Sequence, residues 1–238
     1  MDCMPRTQVL SGVDGCREGW IAVIDDGGRL EARVFPTWSA FIAAVPKTTI
    51  IGVDIPIGLP EVGPRQCDLA ARKRLGQPRG SSVFPAPVRG VLRAGSYREL
   101  SKLHQEFDGR KLTQQTFRLL PKIAQVDLYL KADPSRQAFV IEVHPEVSFS
   151  MWNGRQPMNF RKSKTAGRLE RELLIDREWP GVREQLWKSV QAHDCERDDL
   201  NDAFAALWTV RRVAAKTAER LPPRPEVDVT GVRMEITA

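Results

Sequence analysis

Cysteine and histidine are scarce in this sequence, and neither is arranged as a metal site. The 238 residues include four cysteines and three histidines, with no CxxC pair and no HExxH pattern. These absences disfavour a zinc knuckle, a redox-active cysteine pair and a zinc hydrolase, and they predict reduced thiols. No apolar run approaches the roughly 20 residues that span a bilayer, and the first residues lack the apolar stretch of a signal peptide. We therefore expect a cytoplasmic protein without a membrane segment.

The composition is that of a globular protein with a surplus of positive charge. Hydrophobic residues make up 42% of the chain and charged residues 28%, which is ordinary for a soluble domain. We expect one domain over residues 1–238, with a helical insertion at about 61–136. The net charge of +6 favours a polyanionic partner such as nucleic acid, and a small phosphorylated ligand is the other option. The oligomeric state is not predicted.

Alternating apolar residues near the start of the chain predict an antiparallel meander. Three strands are expected, at "VLSGVD", "WIAVIDD" and "RLEARVF", and the "DDGG" between the last two indicates a two-residue hairpin turn. Thr37 is a candidate N-cap for a short helix. The nearly continuous apolar run "TTIIGVDIPIGLP" then predicts a central strand that ends at Asp54.

The remainder of the chain reads mainly as helices. Helical spacing is seen at "RQCDLAARKRLG", at "SYRELSKLHQEF" and at "PKIAQVDLYLKAD", where Pro121 is placed in the first turn. "QAFVIEVHPEVSF" predicts another strand. Helices follow at about 164–178 and 181–192, and a long one begins at "DDLNDAFAALWTVRR". The segment "LPPRPE" is expected to end that helix, and "GVRMEI" predicts a terminal strand.

Five carboxylates stand where an apolar environment is expected. Asp14 and Asp54 each end a buried strand, and Glu142 interrupts an apolar run. Asp199 and Asp202 are three residues apart at the start of the last helix, so they are neighbours beside its apolar stripe. The fold therefore has the means to collect four or five acids at one end of the sheet.

Such a cluster would repel itself and resist burial unless a cation compensated it. Mg²⁺ or Mn²⁺ prefers oxygen ligands, and two such ions about 3.5–4 Å apart catalyse phosphodiester hydrolysis in other enzymes. An alternative also accounts for these acids, because Asp-Gly pairs form turns and Asp198 or Asp199 is a candidate N-cap. Under that alternative the acids have no common role.

Several sequence blocks carry a family resemblance. "GVDGCREGWIAV", "VDIPIGLP", "SSVFPAPVRG", "LPKIAQVD", "IEVHPEVSF" and "DDLNDAFAALWTVRR" resemble, in this order, the signature blocks of the DUF429 family, which is described as predicted RNase H-like nucleases. The resemblance implies an α/β fold with an RNase H-like mixed five-stranded sheet, whose first three strands are antiparallel and whose helices cover both faces. It also implies metal-binding and catalytic roles for Asp14, Asp54, Asp199 and Asp202. Glu142 lies in the family's own block and is an additional candidate.

Positively charged and hydroxyl side chains follow the second acid and predict a substrate-binding wall. The basic residues in this segment are Arg65, Arg72, Lys73, Arg74, Arg79 and Arg89. Ser81 and Ser82 supply hydroxyl groups, while Lys122 and Arg17 lie in family-like blocks. His144 is either a proton shuttle near the metals or a structural group before a proline.

These features predict a divalent-metal-dependent nuclease or phosphodiesterase. Two alternatives remain open. One is a phosphotransferase or phosphatase acting on a small molecule, although the Gly-rich phosphate loops typical of that class are missing. The other is a non-catalytic module that binds nucleic acid or another ligand on the same fold.

Overall fold

A five-stranded mixed sheet forms the centre of the protein. The computed structural model describes residues 8–238, and Cys3 lies outside them. The sheet consists of β1 (Leu10–Gly15), β2 (Trp20–Asp25), β3 (Leu30–Phe35), β4 (Ile50–Val53) and β5 (Val140–Glu142). Their order in space is β3-β2-β1-β4-β5.

The first three strands form the predicted antiparallel meander. β1 pairs antiparallel with β2, and β2 pairs antiparallel with β3. The hairpin turn between β2 and β3 lies where it was predicted: Asp25 pairs with Leu30, and the Asp26 amide donates to the Arg29 carbonyl at 3.3 Å across the turn. β4 and β5 then extend the sheet in parallel from β1, so β4 is a central strand as predicted.

Eight α-helices connect and cover the strands of the described region. They are α1 (Trp38–Ala44), α2 (Gln66–Leu75), α3 (Tyr97–Asp108), α4 (Gln114–Ala132), α5 (Pro145–Trp152), α6 (Thr165–Glu178), α7 (Val182–Val190) and α8 (Arg197–Ala214). Thr37 caps α1, its hydroxyl accepting from the Ala40 amide. Within residues 8–238, no helix has the length and apolar character needed to cross a bilayer.

Two predicted boundaries in the middle of the chain are wrong. Pro121 lies inside α4 rather than in its first turn, because Thr113 caps this helix and accepts from the Thr116 amide. A capping hydroxyl thus starts the helix two turns before the proline. The strand predicted through "EVHPEVSF" ends at Glu142, because Pro145 begins α5, where its missing amide costs nothing.

The proline-rich segment "LPPRPE" does not end α8 as predicted, because α8 already ends at Ala214 and the segment forms a strand. β6 (Arg220–Val227) pairs antiparallel with β7 (Arg233–Thr237), which confirms the terminal strand. α2 packs on this hairpin. The predicted insertion therefore packs against two parts of the fold. Its helix α2 contacts the β6–β7 hairpin, and its helix α4 contributes Ile123 to the core beneath the sheet.

Helices cover both faces of the sheet, each with its own apolar core. One core joins strand residues such as Trp20 to residues of α1, α3 and α4. The other joins Ile21 and Val23 to α6, α7 and α8. This arrangement confirms the mixed five-stranded sheet with helices on both sides.

α8 lies directly against the backbone of two neighbouring strands. Gly12 of β1 pairs in register with Gly52 of β4. Because glycine has no side chain, the sheet presents only backbone at this pair. A Cβ atom at Gly12 would overlap the backbone of Ala203 and Leu207, and one at Gly52 would lie 2.7 Å from a methyl group of Val210. The two glycines therefore set how closely α8 approaches the sheet.

We predict that Gly12→Ala lowers the free energy of unfolding by about 3 kcal/mol or more, because the helix backbone has no room for a methyl group. Gly28→Ala is the control, since the nearest atom to a Cβ there is 3.8 Å away; its effect should stay within about 0.5 kcal/mol. Urea denaturation measures both. Equal stability of the two variants would contradict this packing.

Candidate metal centre

The same tripeptide, Gly-Val-Asp, places two acids side by side at the ends of adjacent strands. It occurs at residues 12–14 and 52–54, and the two copies are aligned in the parallel pairing of β1 and β4. The Asp54 amide extends the pairing by donating to the Val13 carbonyl at 3.0 Å. Residues i and i+2 of a strand share a face. Asp14 and Asp54 therefore face α8, as the two glycines do.

The third acid comes from α8. Asp202 precedes the Ala203 carbonyl that meets Gly12, so the close helix contact brings its side chain to the two strand ends. One oxygen from each of Asp14, Asp54 and Asp202 lies within 4.8 Å of the other two. Asp202 is only 1% exposed, and its Oδ1 has no hydrogen-bond partner among residues 8–238. We call Asp14, Asp54 and Asp202 the acidic triad.

Burial and mutual repulsion raise the pKa values of two acids of the triad, Asp14 and Asp54. Burial is the main cause that raises the pKa of Asp14 well above its usual value, and repulsion from Asp54 and Asp202 adds to it. Burial likewise raises the pKa of Asp54, followed by repulsion from Asp202. A cation between these oxygens would remove both penalties.

Lys162 supplies part of the missing positive charge. Its Nζ lies 2.5 Å from Oδ2 of Asp202, and attraction to this carboxylate is the main cause that raises the pKa of the lysine. Lys162 stands in the segment between α5 and α6, and the sequence interpretation did not select it. In the sequence, Lys162 is one of three basic residues in "RKSK". Nothing in that pattern distinguishes a basic residue of a site from one that faces solvent.

Asp199 borders the cluster but is already engaged in capping α8. The N-cap is Glu196, not Asp198 or Asp199 as predicted. Asp199 completes the capping box at N3, and its Oδ2 accepts from the Glu196 amide at 2.8 Å. Burial raises the pKa of Asp199 to about 6, with repulsion from Asp202 contributing.

Glu142 lies outside the triad and pairs with a buried arginine. Both of its oxygens accept from Arg65 at 2.7 Å, and Oε2 also accepts from the Ile57 amide. Arg65 additionally bonds Asp68. Glu142 is 5% exposed and Arg65 2%. Because the two side chains are fully engaged in these hydrogen bonds, Glu142 is unsuited to bind a cation and Arg65 is unsuited to bind a substrate.

The other predicted substrate-binding residues are scattered. Arg17 is exposed and lies 3.7 Å from Asp194. Arg72 donates to the Val83 carbonyl, and Lys122 lies against Gly15 with its Nζ 5.9 Å from the Trp20 ring. Among these three, none lines the cavity described next.

A cavity of about 550 Å³ opens above the acidic triad. Three of the predicted site residues, Ser81, Ser82 and His144, are among those that line it. Both serine hydroxyls already donate to backbone carbonyls, so toward a ligand they offer an acceptor rather than a proton. Burial lowers the pKa of His144 to about 4, which keeps the ring neutral at pH 7. A neutral imidazole there does not add to the positive charge.

The acidic triad lies beneath this cavity, where the ends of β1 and β4 meet the start of α8. Its three carboxylates define a candidate site for a divalent cation in a mixed α/β fold. The chain belongs to the family described as protein of unknown function DUF429, whose profile matches residues 12–227. No curated protein and no solved structure matches the chain. The family assignment agrees with the resemblance seen in the sequence blocks.

We predict that Asp54→Asn raises the melting temperature of the cation-free protein at pH 8 by roughly 2–4 °C, which is about 1 kcal/mol for a chain of this size. Burial and repulsion raise the folded-state pKa of Asp54, so wild-type stability falls as pH rises through that pKa. The gain should therefore vanish below about pH 4, where the carboxyl is protonated in both states. Calorimetry at both pH values checks this, and a variant that melts lower at pH 8 would disprove it.

We predict that Arg65→Met lowers the free energy of unfolding by about 3–5 kcal/mol, because it leaves Glu142 and Asp68 as buried, uncompensated charges. Lys102→Met is the matched control: Lys102 is exposed and lies 3.8 Å from Glu106, so the change should stay below about 0.5 kcal/mol. Urea denaturation measures both. Wild-type stability in Arg65→Met would show that the buried ion pair is dispensable.

Proposed function

We propose that this protein is a divalent-metal-dependent hydrolase of phosphodiester bonds on an RNase H-like fold. The acidic triad is the observation that carries the proposal. Its three oxygens lie within 4.8 Å of one another on elements that converge at one end of the sheet. The sheet also supports the proposal, because it has five strands of mixed direction with the first three antiparallel, as the family resemblance implies.

The residues present fit Mg²⁺ or Mn²⁺. All donors in the triad are carboxylate oxygens, the ligands that these hard cations prefer. Oδ1 of Asp202 is buried and has no partner among the described residues, so it is free to bind. Three carboxylates face one ammonium group, that of Lys162, and the surplus negative charge suits a doubly charged ion.

Asp14, Asp54 and Asp202 would hold the cation. A divalent cation at this position would supply Lewis-acid chemistry, acidifying a water molecule and neutralising charge on a phosphate. Lys162 holds Asp202 in place by donating to Oδ2, which leaves Oδ1 available to the cation. A second ion would draw on Asp199, whose Oδ2 is already bonded to the helix cap. We therefore propose one principal cation site.

A nucleic acid is the partner that the charge favours, because the chain carries a net charge of +6. A small phosphate ester is the second candidate, and the cavity supports it: a volume of about 550 Å³ falls within the range of small-molecule pockets. Both substrates share a phosphate ester, so the same acids serve either one.

We predict Mn²⁺-dependent cleavage of at least one of labelled DNA, RNA, an RNA–DNA hybrid or a chromogenic phosphodiester. Asp14→Asn should slow the reaction by about 100-fold or more, equivalent to about 2.7 kcal/mol in the barrier, because the cation loses a ligand. Gel and absorbance assays with EDTA blanks measure the rates.

Asp198→Asn serves as the control for this experiment. Asp198 is an acid on the same helix turn as Asp199, yet it neither belongs to the triad nor lines the cavity. Its substitution should leave the rate unchanged. Absence of metal-dependent cleavage of every substrate, or equal rates in Asp14→Asn and wild type, would refute the proposed function.

A further inference from the structure

A buried arginine without a partner lines the cavity above the acidic triad. Arg79 begins the short 3₁₀ turn Arg79–Ser82 that follows α2. Its side chain is 7% exposed, and its Nε is buried without a hydrogen-bond partner. Among residues 8–238, no carboxylate lies within ion-pair distance of this guanidinium, although the cavity it lines also contains the triad. The positive charge is thus withdrawn from water and left unpaired.

The other buried arginines of residues 8–238 each have a carboxylate partner. Arg65 bonds Glu142 and Asp68, and Arg171 bonds both oxygens of Glu146. Arg183 lies 3.3 Å from Glu172. Burying an unpaired charge is costly, so a protein that keeps one has a use for it. Arg79 differs from the others in this respect and in its position at the cavity.

The turn that carries Arg79 is held rigidly. Ser82 donates to the Arg79 carbonyl at 2.7 Å, and Ser81 donates to the Pro78 carbonyl. Gly80 lies so close to α2 that a Cβ atom would come within 2.9 Å of the Arg72 carbonyl oxygen. The backbone beneath the guanidinium is therefore fixed against the helix, which suits recognition of a ligand of defined shape.

Resting on the function proposed above, we propose that Arg79 binds a terminal phosphate group of the substrate, beside the cation held by the acidic triad. A guanidinium matches phosphate oxygens through two parallel hydrogen bonds. A phosphate within a duplex backbone would meet exposed arginines on an open surface. An arginine that is nine-tenths buried inside a cavity is reached only by a group that projects into it, such as a phosphorylated chain end or a free nucleotide.

Neutralisation explains why this phosphate needs Arg79. The triad and Asp199 make the cavity acidic and would repel an anion. Lys162 is committed to Asp202, and His144 is neutral at pH 7 because burial lowers its pKa to about 4. Arg79 is the buried cation in this cavity that has no carboxylate partner within the described chain. Arg161 also lines the cavity but is exposed to solvent, so Arg79 provides the buried positive charge that attracts a phosphate into it.

Binding of a 5′-mononucleotide to the full chain, measured by calorimetry with Mg²⁺ present, tests the assignment. Arg79→Gln should weaken binding by about tenfold or more, the expected loss when a hydrogen bond between charged groups is removed. Arg98→Gln is the matched control, because Arg98 is an exposed arginine outside the cavity, and it should bind like wild type. The nucleoside without phosphate should not bind.

Two further binding measurements distinguish a phosphorylated chain end from a free nucleotide as the source of the phosphate. A short single strand with a 5′-phosphate is compared with the same strand without it, and with the mononucleotide. Tighter binding of the phosphorylated strand than of the mononucleotide identifies a chain end, and the reverse identifies a free nucleotide. Equal, Arg79-dependent binding of both strands would overturn the assignment to a terminal phosphate. So would wild-type affinity in Arg79→Gln, a loss of equal size in Arg98→Gln, or no binding to wild type.

A stability measurement excludes a purely structural role. Because the guanidinium is unpaired, Arg79→Gln without ligand should melt at the same temperature as wild type or higher. A markedly lower melting temperature, or failure to fold, would overturn the assignment, since it would make Arg79 part of the scaffold. The binding readout also stays independent of the proposed hydrolysis: Arg79-dependent binding without cleavage would refute the hydrolase and retain the phosphate site.

Discussion

The contact between α8 and the two glycines of β1 and β4 is the constraint on which the site depends. Gly12 and Gly52 stand side by side without side chains, and the helix backbone fills the space that Cβ atoms would need. Each glycine is followed two residues later by an aspartate on the same face. A helix held this close must therefore present Asp202 to Asp14 and Asp54, and a small displacement would separate the three acids.

Some buried charges in this fold are paired with an opposite charge and others are not. The paired ones belong to the structural framework, and the unpaired ones belong to the candidate site. Glu142 and Glu146 are each matched by a buried arginine with two or more hydrogen bonds. Within residues 8–238, the acidic triad is paired only with Lys162, and Arg79 has no carboxylate partner. Scaffold ion pairs are complete without a ligand, whereas the cavity contains both unneutralised carboxylates and an unneutralised guanidinium. A phosphate ester with a divalent cation would satisfy both.

Most of the fold was accessible from local sequence patterns. The hairpin, the central strand and the helices with strong caps or apolar spacing were predicted. The repeated Gly-Val-Asp tripeptide is a further local sign that Asp14 and Asp54 lie together, and the sequence interpretation did not use it. The errors came where one local rule displaced another: Thr113 starts α4 two turns before Pro121, and Pro145 starts α5 inside an apolar run that favoured a strand.

Other parts of the site could not be read from the chain because they depend on tertiary contacts. Glu142 looked like a ligand until Arg65 was placed beside it. Lys162 stands in an irregular segment where a basic residue has no periodicity to reveal its direction. Arg79 was predicted only as one of six basic residues after Asp54, and burial is what separates it from the solvated ones. Nothing local distinguishes Arg79 from Lys73, which is exposed six residues earlier.

Anomalous diffraction from crystals soaked in Mn²⁺ tests the central claim most directly. The account predicts an anomalous peak among Asp14, Asp54 and Asp202, with carboxylate oxygens at about 2.0–2.2 Å and Oδ1 of Asp202 among them. A fully soaked crystal with no peak at the triad, or with a peak only at other carboxylates such as Glu142, would contradict it.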